Sequence, residues 1–114
     1  MNRKVYLDSN VILRLLLADI PAQKIRADAL FEKIEQGGIA GILSVLVMNE
    51  ILWILEHFYK TNRLVYVPRI VQMLGMKNIS VAEMKKDDLL ELLEVFQNAK
   101  VDFTDIYLSF LARN

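Results

Sequence analysis

The chain has 114 residues, of which 54% are hydrophobic and 25% charged, the size and make-up of one folded domain and not of a disordered segment. Fourteen Lys and Arg balance fourteen Asp and Glu, so no global basic field announces a nucleic-acid partner, and any such partner must be held by a local patch. The absence of Cys excludes disulfides, zinc–thiolate sites and thiol nucleophiles, and fits a reducing compartment.

"VYL", residues 5–7, is a short β-prone run. Asp8, Ser9 and Asn10 follow, all good helix N-caps, and then "VILRLLLADI", which together predict strand, tight turn and helix. Pro21 suits the first turn of a second helix, 21–36, in which Ile25, Ala29, Leu30 and Ile34 recur at helical spacing, and Gly37-Gly38 ends it. "IAGILSV", 39–45, predicts a buried second strand. The helix after it, 46–60, places Met48, Ile51, Leu52, Leu55 and Phe58 or Tyr59 on one side. Residues 63–77 predict a helix with a break or kink near Pro68, "NISVA" a third strand, and 85–99 a helix begun by Asp87 and Asp88. The last helix is "TDIYLSFLAR", 104–113. Strands alternating with helices of this length imply an α/β sandwich with a mainly parallel sheet. The apolar runs are too short or interrupted to cross a bilayer, and "MNRKVYLDSN" lacks the apolar core of a signal peptide, so a cytoplasmic domain without membrane contact is expected.

In open α/β sheets, chemistry gathers beyond the carboxyl ends of the strands, which singles out acids at strand-to-helix turns. Asp8 is one; taken alone it reads equally as an N-cap, although Ser9 and Asn10 could fill that place. Glu50 lies about one turn into the helix after the second strand, among Met48, Ile51 and Trp53. Either the helix macrodipole or a basic partner would account for it there. Asp102 and Asp105 are one turn apart and so share a helix face, with a cap and a first-turn acid as the plain alternatives. Carboxylates that converge repel one another unless a cation neutralises them. Oxygen ligands, without Cys and with one His in the chain, select Mg²⁺ or Mn²⁺, whose bound water suits phosphodiester hydrolysis, with a second ion about 4 Å away possible.

The segments "VYLDSNVILRLLL", "SVLVMNEILWIL" and "VDFTDIYLSFLA" together resemble the PIN domain, especially the ribonuclease toxins of VapBC-type toxin–antitoxin pairs. The resemblance covers the whole chain, 1–114, as one domain. It implies a PIN-like three-layer sandwich around a mainly parallel sheet, and a metal-dependent RNA endonuclease that forms a homodimer and is held inactive by a cognate antitoxin. Its metal-binding acids map to Asp8, Glu50 and Asp105, with Ser9 beside the first and Asp102 as an assisting acid of the catalytic set. Family members continue through a further strand with another acid, so the resemblance also implies that the C-terminal strand or strands are lacking after Asn114. The competing readings are a catalytically inactive PIN-like module that binds protein or RNA, and a receiver-like α/β domain. The receiver reading lacks the paired acids near strand one and the later Lys it requires.

Of the remaining polar groups, His57 reads as a residue compensating a helix C-terminus. Lys60, Arg63 and Arg69 read as a solvated helix face, with phosphate contact as the alternative. Arg14 is placed to pair with a site acid or with phosphate.

Overall fold

A computed structural model describes residues 3–113; Met1, Asn2 and Asn114, the ends of the expected 1–114 domain, lie outside it. The chain runs β1 (Arg3–Tyr6), α1 (Ser9–Leu16), α2 (Pro21–Glu35), β2 (Ile39–Leu43), α3 (Val45–Trp53), a π-helical turn (Ile54–Phe58), α4 (Arg63–Leu74), β3 (Ile79–Val81), α5 (Lys86–Asn98) and α6 (Phe103–Arg113). The three strands form one parallel sheet in the order β1-β2-β3, with Val5 opposite Gly41 and Gly41 opposite Ile79. This is the mixed α/β, parallel-sheet architecture the sequence predicts.

Each turn is set by a short polar signal. Asp8 caps α1 by accepting the Val11 amide at 2.8 Å, and Pro21 opens α2, where no amide hydrogen is needed. At the far end of α2, Gly37 takes φ +89 while Gly38 donates back to the Lys33 carbonyl at 3.0 Å, a closure that a β-carbon would strain. Asn78 donates to the Ile34 carbonyl at 2.9 Å and ties the same helix end to the start of β3. Gly41, in the central strand, is packed against the side chains of Ile34 and Leu7, so α2 lies close on β2.

Buried residues from every helix join one core with Leu43 and Ile79 of the sheet. Met48, Ile51, Leu52 and Leu55 are buried as their spacing predicts, but Phe58 is exposed and Tyr59 half-buried. The reason is a change of helical register. After Trp53 the backbone widens, Tyr59 donates to Ile54 across five residues, and Lys60 ends the turn at φ 53. The predicted single helix 46–60 is therefore two pieces.

The break predicted at Pro68 is absent. α4 continues through it, because Val67 and Ile70 are fully buried on either side, with Tyr66, Met73 and Leu74 on the same apolar face. Packing of that face outweighs the one amide that proline lacks. Pro68 and the exposed Leu64, whose carbonyl would have received that amide, both face solvent.

Candidate active site

Asp8 sits where β1 hands over to α1, Glu50 lies in the second turn of the helix that follows β2, and Asp102 and Asp105 lie at the start of α6, which follows α5 and not a strand. Leu7, buried just past β1, fixes the chain so that Asp8 emerges into solvent at the carboxyl end of the sheet. One of its carboxylate oxygens is spent on the Val11 amide; the other has no hydrogen-bond partner among the described residues. The cap reading of Asp8 is thus correct and leaves half of the group free.

The next residue links the first strand to the second. The Ser9 hydroxyl donates to a Glu50 carboxylate oxygen, so the acid on α3 is held beside the N-terminus of α1. One residue before Glu50, Asn49 accepts the Thr104 hydroxyl at 3.2 Å, and Thr104 immediately precedes Asp105 on α6. Two side-chain contacts at adjacent positions of α3 therefore tether the segments that carry Asp8, Glu50 and Asp105. Asn49 and Thr104 were not singled out in the sequence. Their signal was a polar residue next to each acid in otherwise apolar stretches.

Glu50 needs neither a Lys nor an Arg: it is exposed, and its partner is a hydroxyl. Asp105 is exposed too and borders a groove between α5 and α6 lined by Val95, Val101, Ile106 and Arg113. Asp102 stands elsewhere. Its carbonyl receives the Asp105 and Ile106 amides, so it holds the cap position, and it lines a small pocket of about 90 Å³ with Asn49, Trp53, Glu56, His57 and Arg63. The two acids predicted to share a face thus open onto different clefts, because Asp102 lies before the first turn of α6.

That pocket is organised by an ion pair the sequence did not disclose. Arg63 meets Glu56 with both arms, at 2.5 and 3.3 Å, and its guanidinium also reaches the carbonyls of Phe96, Ala99 and Val101 at 3.0, 2.9 and 2.8 Å. The same group lies 3.7 Å over the Phe96 ring. The Arg63 hydrogen bond holds the Glu56 carboxyl below its ordinary range, against the opposing pull of desolvation, and Glu56 in turn raises Arg63. Burial pushes the Tyr66 hydroxyl, 3.3 Å from Glu56, well above its usual value. Arg63 is therefore neither a solvated cation nor a free phosphate contact.

The other basic residues are also placed. Arg14 pairs with Asp19 at 2.7 Å, and Tyr59 bridges to the same carboxylate at 3.0 Å, so its partner is not a site acid. Arg69 donates to the Leu16 carbonyl at 3.3 Å. His57 packs against Trp53, ring centroids 5.0 Å apart, and lies 3.5 Å from the Glu56 carboxylate. Glu83, also passed over, accepts the Ser44 hydroxyl at 2.5 Å and the Val45 amide at 2.8 Å, capping α3 from the loop after β3.

For a metal, the chemistry of the donors is suitable: Asp8, Glu50 and Asp105 offer exposed carboxylate oxygens, which suit a hard divalent cation. They are not gathered as a ready-made cage; among the described residues no three Asp, Glu or His side chains stand grouped around one point. Among the same residues no helix is long and apolar enough to cross a membrane.

No curated protein and no solved structure matches the chain. The sequence pattern of the PIN domain does, over residues 5–114, from the strand that delivers Asp8 to the end of the helix that carries Asp105, and the chain belongs to the PIN domain family.

Proposed function

We propose that this chain is a divalent-metal-dependent endoribonuclease, the toxin of a VapBC-type toxin–antitoxin pair, acting in the cytoplasm as a homodimer. PIN domains are in general nucleases that use divalent metal ions. The observation that carries the reading to these residues is the Ser9–Glu50 hydrogen bond, which brings the acid of α3 to the segment of Asp8 at the carboxyl end of the sheet. Asp8, Glu50 and Asp105 would hold Mg²⁺ or Mn²⁺. Bound there, the ion supplies water activation and charge neutralisation for hydrolysis of an RNA phosphodiester to 3′-hydroxyl and 5′-phosphate ends.

The chain's own residues do the positioning. Ser9 fixes the rotamer of Glu50, the Val11 amide fixes that of Asp8, and Asn49 with Thr104 sets the height at which α6 presents Asp105. Asp102, in the Arg63 pocket, orients the start of α6 and does not bind the ion. Apolar side chains exposed on successive elements, Leu46, Trp53, Phe58 and Leu64, supply surface for a second copy and for the antitoxin.

The test is Asp8→Asn. Asparagine caps a helix as well as aspartate, so the variant keeps its fold and loses one ligand charge. Mg²⁺-dependent cleavage of single-stranded RNA is expected to vanish, and calorimetric Mn²⁺ binding to weaken in both Asp8→Asn and Asp105→Asn; cleavage at the wild-type rate refutes the assignment. The second reading, an inactive PIN module, is favoured by the lack, among the described residues, of a preassembled three-acid cage. A folded wild-type chain that neither cleaves RNA nor binds Mn²⁺ would establish it.

A further inference from the structure

We infer that the groove between α1 and α2 is the track along which single-stranded RNA approaches Asp8, with Arg26 as its phosphate contact. The inference rests on the ribonuclease reading and extends it to the binding of substrate. The groove has a volume of about 560 Å³, inside the roughly 300–1,000 Å³ usual for ligand clefts. One wall is formed by Asn10, Val11 and Arg14 of α1; the other is the α2 stripe Gln23, Arg26 and Leu30, at successive turns. Asp8 lines the same groove, so whatever occupies it touches the candidate site.

The polar groups facing the groove divide into spent and unspent. Arg14 is engaged with Asp19 and Tyr59; Lys24, close to Arg26 on α2 but not lining the groove, is paired with Asp28 at 2.7 Å. Arg26 is exposed and makes no ion pair or side-chain hydrogen bond among the described residues; the side-chain amides of Asn10 and Gln23 make none either. An unpaired guanidinium and two unpaired amides in one cleft suit an occupant with anionic oxygens at intervals and polar edges between them. Apolar patches on the half-buried Val11 and Leu30 give the sugar and base faces something to lie against. Among the described residues that line the groove the one carboxylate is Asp8, at the site itself, so the repulsion a polyanion meets from the lining lies where the divalent ion would stand.

The test is fluorescence anisotropy with a labelled, mixed-sequence single-stranded RNA, in chelator so that nothing is cut, for wild type and Arg26→Glu. Arg26 is exposed and makes no ion pair or side-chain hydrogen bond among the described residues, so the variant should fold, which its melting curve checks. Affinity is expected to fall about tenfold or more. For Arg26→Ala, the slope of log affinity against log salt should drop by about 0.7, the share of one phosphate contact on a single strand. With metal present, KM for RNA should rise while kcat is kept. Equal RNA affinity in wild type and Arg26→Glu overturns the inference, as does Arg26-dependent binding of poly-glutamate without binding of RNA, which would make the groove a site for acidic peptide. If Asp8→Asn abolishes cleavage while Arg26→Glu binds normally, the nuclease reading stands and the groove falls. If Arg26→Glu loses RNA but the wild type never cleaves, the groove stands and the nuclease reading falls.

Discussion

Replacing Arg63 with Met is expected to be the most damaging single change outside the apolar core. Methionine keeps much of the side chain's apolar length against Phe96 but removes the bonds to Glu56 and to three carbonyls that close the α5–α6 connection. Each hydrogen bond to a charged group contributes about 1.5–3 kcal/mol, but the terms do not add: one Arg63 nitrogen, with two hydrogens, serves all three carbonyls. Breaking a buried ion pair costs about 3–5 kcal/mol. The Arg63 side chain is only 15% exposed and that of Glu56 28%, so solvent recovers part of the loss, and about 3 kcal/mol is the expected cost. For a domain of this size that lowers Tm by roughly 12 °C. The assay is urea and thermal unfolding of wild type, Arg63→Met, Glu56→Gln and the double variant. The coupling between the two sites should exceed about 1 kcal/mol, because Arg63 still serves three carbonyls without Glu56, whereas Glu56 keeps only Tyr66 and the neighbouring His57 without Arg63. Arg63→Lys should recover less than half of the loss, since an ammonium cannot fork to the carboxylate and reach the carbonyls together. A loss under about 1 kcal/mol for Arg63→Met would refute the reasoning, by showing that water replaces the guanidinium at every acceptor.

Two further outcomes follow from the same contacts. The Glu56 carboxyl is held below its usual 4.5, chiefly by Arg63, so its stabilising share is full above that value and is lost as pH falls through the lowered one; the gap between wild type and Glu56→Gln should be constant from neutrality to about pH 5 and close below it, and a gap that does not change with pH contradicts this. Ser9→Ala frees Glu50 at an exposed position, so stability should change by less than about 0.5 kcal/mol while Mn²⁺ affinity falls about tenfold, as expected of a residue that orients a ligand; unchanged Mn²⁺ affinity counts against Glu50 as a ligand.

Local signals carried the fold where one physical effect acted alone. Asp8 as a cap, Pro21 at a helix start and Gly37 at a helix end are decided by backbone hydrogen-bond needs, which a few neighbouring residues reveal. Pro68 misled because a local penalty lost to burial on both sides of it, and burial depends on residues far along the chain. Asp8 was visible as a charge at a strand end, and Glu50, Asp102 and Asp105 as acids near the starts of apolar helices. Their ties were not: Ser9 to Glu50 spans 41 positions and Thr104 to Asn49 spans 55, and no local pattern encodes which polar residues will meet. The role of Arg63 is hidden for the same reason, since all five of its acceptor contacts come from residues its own helix does not contain, between 7 and 38 positions away in sequence.

The π-helical turn at Ile54–Phe58 acts as a joint with two outputs. By taking up one residue more than an α-helix would, it turns Glu56 toward Arg63 on one side and brings the Tyr59 hydroxyl to Arg14 and Asp19 on the other. An α-helical register would rotate everything after it by about 100° and unhook both. The length of this segment is thus as constrained as its composition: a one-residue deletion there would leave the remaining side chains chemically intact and still break the ties of Tyr59 to Arg14 and Asp19 and of Glu56 to Arg63.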